Sequence, residues 1–421
     1  MRRALVALAC AAGLAAAGPA HAATTVSLTF DDGVADQLNA RPVLAAHGMH
    51  ATFYVISRRV GHTRYLSVAD LRSLQGDGNE IGGHTENHVH VSQLTPFDLK
   101  RQICGDRFSL MADGLNVRSF AYPFSDINDS AKQTVQACGY ESGRTSSGIA
   151  GPTVCTGCPF SETIPPRDPY AMRAPDSVEQ AATVDSITQY VKNAQAHGGG
   201  WVMLVFHHIC DGCNAYGISA DEFSQVLDWL ASQPDVSVQT VGDVVGGPVN
   251  PAVPAPPLTP VSASNLLQNA SLEIDEDQDG TPDCFQLGQT GTNAATWSRV
   301  PGHTGSVAEK VTITDYSVGD RKLVSRQDAG LCAPRASGGR RYAIRAWYRA
   351  SAPAKLVAYV RDADGRWRFF GQGPVLQRST SWRQAHWTPK ALPAGSTALS
   401  VGMSLRARGS LTLDDIGLAL A

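Results

Sequence analysis

The sequence predicts an α/β domain, either a barrel or a doubly wound sheet, followed by an all-β sandwich. In the first half, short apolar runs alternate with helical stretches, a rhythm typical of parallel strands with crossover helices. In the second half, apolar and polar residues alternate within short segments bounded by Gly, Pro and Ser. Between the halves, residues 246–264 are rich in proline and free of charge, which predicts a semi-extended linker.

The N-terminus has the pattern of a secretory signal peptide. Met1-Arg2-Arg3 precedes an apolar run that ends at Ala17, and Ala20-His21-Ala22 is a small-x-small cleavage signal. No other segment is apolar for long enough to span a bilayer. We therefore expect a signal peptide over residues 1–23, a first domain over 24–245, the linker over 246–264 and a second domain over 265–421. The mature protein is expected to be secreted, into the extracellular space or the periplasm, without a transmembrane segment.

The cysteine count agrees with export. Removing Cys10 with the signal peptide leaves eight cysteines, an even number suited to disulfides in an oxidising compartment. Two CxxC pairs are present, and for an exported chain we favour disulfides over a structural zinc site. The sequence leaves the connectivity open, and the suggested pairs are Cys155–Cys158, Cys210–Cys213, Cys104–Cys138 and Cys284–Cys332.

The two halves differ in charge. Residues 1–263 hold 16 Lys and Arg against 24 Asp and Glu, a balance of −8, whereas residues 264–421 hold 19 against 14, a balance of +5. This asymmetry is too mild to indicate a nucleic-acid partner.

Polar motifs follow the predicted strands of the first half. The predicted strands are Thr25–Phe30, Ala51–Ile56, Ser119–Tyr122 and Trp201–Phe206, with helices over Arg41–His47 and Val68–Gln75. Asp31-Asp32 follows the first strand, Pro123-Phe124 a middle one and His207-His208 the last. In a parallel barrel these positions lie at the carboxyl ends of the strands, where catalytic loops gather.

Two short motifs predict a metal-activated water. Asp31-Asp32-Gly33 and His84-Thr85-Glu86-Asn87-His88 offer one carboxylate and two imidazoles to a divalent ion, with a second carboxylate left as a base. Taken alone, the first could be a turn and the second a surface histidine pair. His207, at the end of a strongly apolar run, is harder to explain structurally. The conjunction of the three favours the metal site.

These motifs resemble the polysaccharide deacetylase family, whose shared domain is called the NodB-homology domain. The resemblance covers roughly residues 24–245 and adds Phe120-Ala121-Tyr122-Pro123-Phe124 as a groove motif. It implies a distorted (β/α) barrel. It also implies that Asp31 is the catalytic base and that the metal ligands are Asp32, His84 and His88. It further implies that the main-chain amide of Phe124 binds the oxyanion and that His207 is the general acid. His208 is expected to play a supporting role, although either histidine could be the acid.

The sequence departs from the family pattern at two places. Many members have an arginine that contacts the catalytic aspartate where this chain has Ala121, and a glycine where it has Ser125. We hypothesise that Arg173 supplies the missing cation and that Asp168 orients His207. The alternative is that both residues only structure a loop.

The second half resembles carbohydrate-binding jelly-roll modules in its opening, Asn265–Glu273, and its ending, Leu413–Ile416. Carboxylates at alternating positions suit a structural calcium, with an acidic surface loop as the alternative; they are Asp275, Asp277, Asp279 and Asp283. The loop is not a complete EF-hand, because Gln286 occupies the twelfth position. We expect most tryptophans of this half to be core, and Arg366–Phe370 to be an exposed binding edge.

The combined interpretation is a secreted metal-dependent hydrolase that removes N-acetyl groups from an amino-sugar glycan. The substrate partner would be an acetylated polysaccharide such as chitin, peptidoglycan or poly-N-acetylglucosamine. The alternatives are an O-acetyl esterase acting on a glycan such as xylan, and a glycan-binding protein without activity. The donor set accepts zinc, with cobalt or nickel as alternatives, and the oligomeric state is left open.

Overall fold

The computed structural model describes residues 23–152, 155–275, 279–328 and 331–421. The predicted signal peptide therefore lies outside the described residues, except for Ala23. Within the described ranges, none of the helices combines the length and the apolar character needed to cross a membrane.

A parallel sheet that curves into an incomplete barrel forms the first domain. Its strands are β1 (Thr24–Phe30), β2 (Ala51–Val55), β3 (Glu80–Gly83), β4 (Val117–Ala121), β5 (Ser142–Gly148), β6 (Met172–Ala174), β7 (Gly200–Phe206) and β10 (Val236–Val238). Between β7 and β10 in sequence, β8 (His208–Ile209) and β9 (Gly217–Ile218) form a separate parallel pair. The strands from β1 to β6 pair in sequence order, and β7 pairs with β1 along its whole length. The expected barrel-like α/β architecture is confirmed.

The helices of this domain are α1 (Ala40–His47), α2 (Val68–Gly76), α3 (Pro96–Ala112), α4 (Asp129–Ala137), α5 (Val184–Ala196), α6 (Ala220–Ser232) and α7 (Val241–Val245). Three of them begin with a reciprocal capping box, in which Ser67, Thr183 and Ser219 accept from the third backbone N–H of the helix. Local sequence therefore sets where these helices start.

The strands are buried on both faces, which explains their continuous apolar runs. The outer core packs the sheet against the helices and includes Leu28, Phe53 and Leu204. A smaller cluster, which includes Met172, Trp201 and Met203, joins residues of β6 and β7. The sheet thus curves far enough for its sixth and seventh strands to share a core.

The second domain is a β-sandwich, as expected. Its strands are β11 (Phe285–Thr290), β12 (Asn293–Val300), β13 (Ala308–Tyr316), β14 (Asp320–Ser325), β15 (Tyr342–Ala350), β16 (Ala354–Arg361), β17 (Trp367–Gln372), β18 (Ser379–Trp387), β19 (Ala398–Leu405) and β20 (Gly409–Leu420). They form two antiparallel sheets with the orders β11-β14-β19-β16-β17 and β12-β13-β20-β15-β18. Alternate residues of β15 point into the core between the sheets.

The linker is extended, but it is not the free spacer that its composition suggested. The guanidinium of Arg107, on α3, donates to the carbonyls of Asn250 (2.7 Å) and Pro251 (2.9 Å). Arg101, on the same helix, donates to the carbonyl of Pro256 at 2.9 Å. Proline-rich backbone has carbonyls without matching N–H groups, and these arginines satisfy them.

A buried ion pair joins the two domains. Arg361, at the end of β16, donates from both terminal nitrogens to the carboxylate of Asp113, at 2.9 and 3.0 Å. The turn between β16 and β17 lies against the first domain, since Arg72 donates to the carbonyl of Ala363 and Gly365 packs on Val68. The start of the predicted binding edge, Arg366–Phe370, is therefore close to a domain contact, although Phe369 is exposed.

The disulfides follow the pairing suggested by the sequence: Cys104–Cys138, Cys155–Cys158, Cys210–Cys213 and Cys284–Cys332. The expectation that most tryptophans of the second half belong to the core was wrong. Those expected there are only partly buried, with Trp297 and Trp387 packed against the core cluster.

Candidate functional site

The candidate metal ligands meet at the carboxyl end of the parallel sheet. Asp32 follows β1, and His84 and His88 follow β3. The Nε2 atoms of His84 and His88 lie 3.6 and 3.3 Å from Oδ1 of Asp32. One ligand atom from each residue lies within 4.8 Å of the others. The motifs, about fifty residues apart in sequence, thus form one donor cluster.

The donors are oriented as a metal site requires. Nδ1 of His84 lies 2.8 Å from the carbonyl oxygen of Ala121, so a proton on Nδ1 is donated there and Nε2 keeps its lone pair. Oδ1 of Asp32 is buried and has no hydrogen-bond partner among the described residues. One carboxylate and two imidazoles fit zinc and neighbouring transition metals. The donor set therefore fits the divalent ion expected from the sequence.

The backbone around these ligands adopts conformations that side chains other than glycine rarely take. Asp32, Thr85 and His88 have φ values of 77°, 62° and 58°. The Thr85 hydroxyl accepts from the His88 N–H at 2.9 Å, which closes the turn between the two histidines. Such strain is stored where the surrounding structure holds a functional geometry in place.

Electrostatics favours an ionised Asp32 and a neutral His88. Burial opposes ionisation of Asp32, but the neighbouring imidazoles of His84, His207 and His88 outweigh it and hold its pKa well below the usual range. Burial and the neighbouring His84 lower the pKa of His88 to about 4. A neutral imidazole is the form that binds metal.

Asp31, the predicted base, is buried against Arg144. The terminal nitrogen of Arg144 donates to Oδ1 of Asp31 and lies 3.3 Å from the Thr29 hydroxyl. Arg144 is fully buried, and its guanidinium lies over the ring of Tyr54, 4.6 Å from the centroid. Burial alone would raise the pKa of Asp31, but Arg144, His84 and His207 lower it. Asp31 is therefore held as a carboxylate.

Arg144, and not Arg173, is the cation beside Asp31. Arg173 instead forms a bidentate pair with Glu162, at 3.0 and 2.9 Å. In the pairing of β4 with β5, Arg144 stands directly opposite Ala121. Many members of the family are expected to have an arginine at the position of Ala121, and in this chain Arg144, on the adjacent strand, lies beside Asp31 instead. The signal in the sequence is a lone arginine among small residues in Ser142–Gly148, whose register could not be read without the sheet.

Asp168 does not orient His207. Its carboxylate pairs with Lys132 at 3.1 Å and accepts from the Tyr170 N–H at 2.9 Å, so it structures the loop. This is the alternative that the sequence had left open for both Asp168 and Arg173.

His207 reaches the site because β7 lies beside β1. The N–H of Asp31 donates to the carbonyl of Phe206 at 2.9 Å, which fixes the two strand ends next to each other. Gln37, which sequence analysis missed, donates to the carbonyls of Asp31 (2.5 Å) and His207 (2.9 Å). Burial lowers the pKa of His207, although Asp31 and Asp32 oppose this. His208 is engaged elsewhere, 2.7 Å from the Asp36 carboxylate.

Phe124 forms one wall of the site. Its backbone is left-handed, with φ 57°, and its side chain is 56% exposed. The ring stacks on His90 at 4.2 Å and meets the edge of His88 at 4.4 Å. Phe124 therefore places an exposed ring beside His88, one of the candidate metal ligands.

The acidic loop of the second domain remains a candidate calcium site. Asp275 pairs with Arg299 at 3.0 Å, and Asp277 lies outside the described residues. Of the other two predicted ligands, Asp279 accepts from the N–H of Thr281 at 2.6 Å, and Asp283 also has a partner. The calcium prediction stays a prediction.

Together, the barrel-like α/β fold and a cluster of carboxylates and imidazoles at its carboxyl end define a class of candidate metal-dependent hydrolases. The profile of the polysaccharide deacetylase family matches residues 19–143. Residues 19–143 of this chain thus resemble a polysaccharide deacetylase domain, which confirms the resemblance inferred from the motifs.

Two curated relatives agree with this assignment. The chain is 29% identical over 123 residues to YxkH of Bacillus subtilis, whose name assigns it provisionally to the polysaccharide deacetylases; the match covers 28% of this chain and 44% of YxkH. It is 28% identical over 118 residues to a peptidoglycan-N-acetylglucosamine deacetylase of Bacillus cereus, covering 28% of this chain and 54% of that protein. The chain thus spans about half the length of these relatives.

Among solved structures, the Xyl-CE4 domain of a multidomain xylanase from the hindgut metagenome of Trinervitermes trinervoides is similar with a TM-score of 0.37 and 17% identity. The match covers 53% of this chain and 89% of that domain.

Proposed function

We propose that this protein is an exported, metal-dependent deacetylase that hydrolyses N-acetyl groups of an amino-sugar polysaccharide. The observation that carries the proposal is the convergence of Asp31, the Asp32-His84-His88 donor cluster and His207 at one end of the sheet. These groups provide a base, a metal site and an acid, which are the parts that amide hydrolysis requires.

Asp32, His84 and His88 would hold the metal, which we propose to be zinc, with cobalt or nickel as alternatives. A divalent ion held by these residues would activate a water molecule and polarise the carbonyl oxygen of the acetamide. Three protein ligands leave coordination positions open, as in catalytic zinc sites.

Asp31 is placed to remove the proton from the attacking water. Arg144 keeps Asp31 ionised in the resting enzyme, so its carboxylate is available to accept a proton. As the acetamide carbon becomes tetrahedral, negative charge builds on its oxygen, and we assign the main-chain N–H of Phe124 to that oxygen. Arg144 acts through Asp31 and is a positioning residue.

His207 is assigned as the acid that protonates the departing amine. An amide nitrogen leaves poorly without a proton, so breaking the carbon–nitrogen bond needs such a donor. Gln37 fixes the main chain of both Asp31 and His207, and this holds the base and the acid at a constant separation. The products are acetate and a free amino sugar.

An O-acetyl esterase remains the second candidate, and one observation favours it. Burial lowers the pKa of His207, so its imidazole is neutral over more of the pH range. An alkoxide leaving group depends less on an acid than an amine does. The name of the Bacillus cereus relative, in contrast, specifies peptidoglycan N-acetylglucosamine, and this supports an N-acetylated glycan as the first substrate to test.

We propose that the sandwich binds the glycan. A cleft of about 420 Å³ in this domain is lined by polar side chains such as Asn265 and Gln384, by apolar ones such as Leu267 and Ile416, and by Trp347. The ring of His303 stacks on Trp347 at 3.9 Å and lies edge-on to Trp382 at 5.5 Å. Flat aromatic surface beside hydrogen-bonding groups suits a sugar ring. This cleft replaces Arg366–Phe370 as the favoured binding surface.

The test is acetate release by the purified mature protein from N-acetylated and O-acetylated glycans, with added zinc and with a chelator. Asp31→Asn is measured in parallel, and Asp168→Asn is the matched control, because Asp168 pairs with Lys132 and not with the site. Release that needs metal and Asp31 but not Asp168 supports the proposal. Absence of release from every glycan, by protein shown to hold its metal, would refute it.

A further inference from the structure

A second cluster of metal-binding side chains lies outside the candidate catalytic site. Asp36, His208, Cys210 and Cys213 each place one donor atom within 4.8 Å of the others. Asp36 follows β1 in a one-turn helix, and the other three lie in β8 and the loop after it. The deacetylase chemistry uses none of these residues.

The cluster has the composition of a tetrahedral zinc site. Two cysteines separated by two residues, one histidine and one carboxylate are ligands that zinc accepts, and the C-x-x-C spacing is that of zinc-binding loops. With metal–sulfur bonds of about 2.3 Å, the edges of the tetrahedron are about 3.8 Å long. On reduction the two bonded sulfurs need to separate to about this distance, whereas the widest donor separations, at most 4.8 Å, need to close by about 1 Å.

The surrounding structure holds the donors in place. The N–H of His208 donates to the carbonyl of Tyr216 (3.2 Å), and that of Cys210 donates to the carbonyl of Ile218 (2.8 Å), so β9 fixes the loop. Oδ2 of Asp36 lies 2.7 Å from Nδ1 of His208 and 4.0 Å from Sγ of Cys213. Oδ1 of Asp36 is buried and has no hydrogen-bond partner in the part of the chain that the structure describes.

In the structure Cys210 and Cys213 form a disulfide, and a disulfide does not ligate zinc. We propose that reduction of this disulfide creates a second zinc site, formed by Cys210, Cys213, His208 and Asp36. Two molecules of an external thiol supply two electrons and two protons and are joined as a disulfide, while the Cys210–Cys213 bond breaks to give two thiols. Zinc then displaces both thiol protons to solvent.

Exposure makes this disulfide one that an external thiol can reach. Cys213 is exposed and Cys210 partly buried, whereas Cys104, Cys138, Cys284 and Cys332 are at most 3% exposed. Cys155–Cys158 is the other C-x-x-C disulfide. Among the described residues, Cys155 and Cys158 belong to no cluster of three or more His, Cys, Asp or Glu side chains that could hold a metal ion. This disulfide is therefore the matched control.

The test is spectroscopic and does not depend on activity. The mature protein is reduced with a monothiol, freed of it under anaerobic conditions and titrated with Co²⁺. We expect near-ultraviolet thiolate-to-cobalt absorption whose amplitude corresponds to one thiolate-bound ion per chain, in addition to the ion held by the Asp32-His84-His88 cluster, and which disappears on adding excess Zn²⁺. The oxidised protein should lack this absorption, since the Asp32-His84-His88 cluster contains no sulfur.

Variants separate this site from adventitious thiol binding. Cys210→Ser/Cys213→Ser should abolish the absorption, and Cys155→Ser/Cys158→Ser should retain it. His208→Gln should weaken Co²⁺ binding at least tenfold. Three results would overturn the proposal: no sulfur absorption from protein shown to carry both free thiols, loss of the absorption in the Cys155→Ser/Cys158→Ser variant, or unchanged affinity in His208→Gln.

Discussion

Replacing Arg144 with methionine should raise the pH at which the enzyme becomes active. Arg144 is fully buried against Asp31, whose side chain is only 5% exposed. Removing one partner of such a pair leaves an uncompensated buried charge and costs about 3–5 kcal/mol. At about 1.4 kcal/mol per pKa unit, even 3 kcal/mol raises the pKa of Asp31 by about two units.

The sign of the pH effect follows from the role of Asp31. Only the carboxylate can remove a proton, so activity falls about tenfold for each unit by which the pH lies below the raised pKa. In the wild type, the lowered pKa of Asp31 contributes stability above its unfolded-state pKa, and this is lost as the pH falls through the folded-state pKa. In the variant this contribution decreases, and the protein should be less stable at neutral pH.

The assay is kcat/KM for acetate release from about pH 4 to about pH 8, with denaturant unfolding of the same samples. Arg173→Met is the control, because Arg173 is 33% exposed and pairs with Glu162 and not with Asp31. Arg144→Lys keeps the charge and should restore part of the low-pH activity. The reasoning is wrong if Arg144→Met leaves the acidic limb of the profile unchanged, or if Arg173→Met shifts it equally.

Three further outcomes are expected. Asp32→Asn should release the metal from the Asp32-His84-His88 cluster, which metal analysis after dialysis would detect; full retention of the metal would contradict the assignment. His207→Ala should slow N-acetyl hydrolysis by about 10²–10⁴-fold and O-acetyl hydrolysis much less, and equal losses on matched amide and ester substrates would remove His207 as the acid. Arg361→Met should lower the free energy of unfolding by about 3–5 kcal/mol, because it leaves Asp113 unpaired and buried. Arg368→Met, at an exposed pair, should change the free energy of unfolding by about 0–1 kcal/mol. Similar denaturant midpoints for the two variants would show that the domain contact contributes little.

Local patterns determined the parts of this protein that depend on neighbouring residues in sequence. Apolar runs such as Trp201–Phe206 specify buried strands, because a strand covered on both faces has no polar side. Ser67, Thr183 and Ser219 specify helix starts through their own hydrogen bonds. The ligand motifs could also be predicted, since the residues of each lie within one turn or loop.

Register and long-range pairing could not be predicted. Arg144 stands opposite Ala121 only because β4 and β5 pair in one particular register, and a shift of one residue would turn its side chain to the other face. Sequence position alone favours Arg173 as the cation beside Asp31, but Glu162 holds that side chain. The linker similarly looked free because the arginines that bind it lie about 150 residues earlier in the chain.

The sequence by itself determined the two fold classes and the donor set of Asp32, His84 and His88, because hydrophobic period and ligand chemistry are properties of residue type and spacing. Only the tertiary structure decided which cation faces Asp31, how Gln37 joins Asp31 to His207, and that Asp36 lies against His208, Cys210 and Cys213. These contacts join residues far apart along the chain, and their geometry is set by how strands pair and pack.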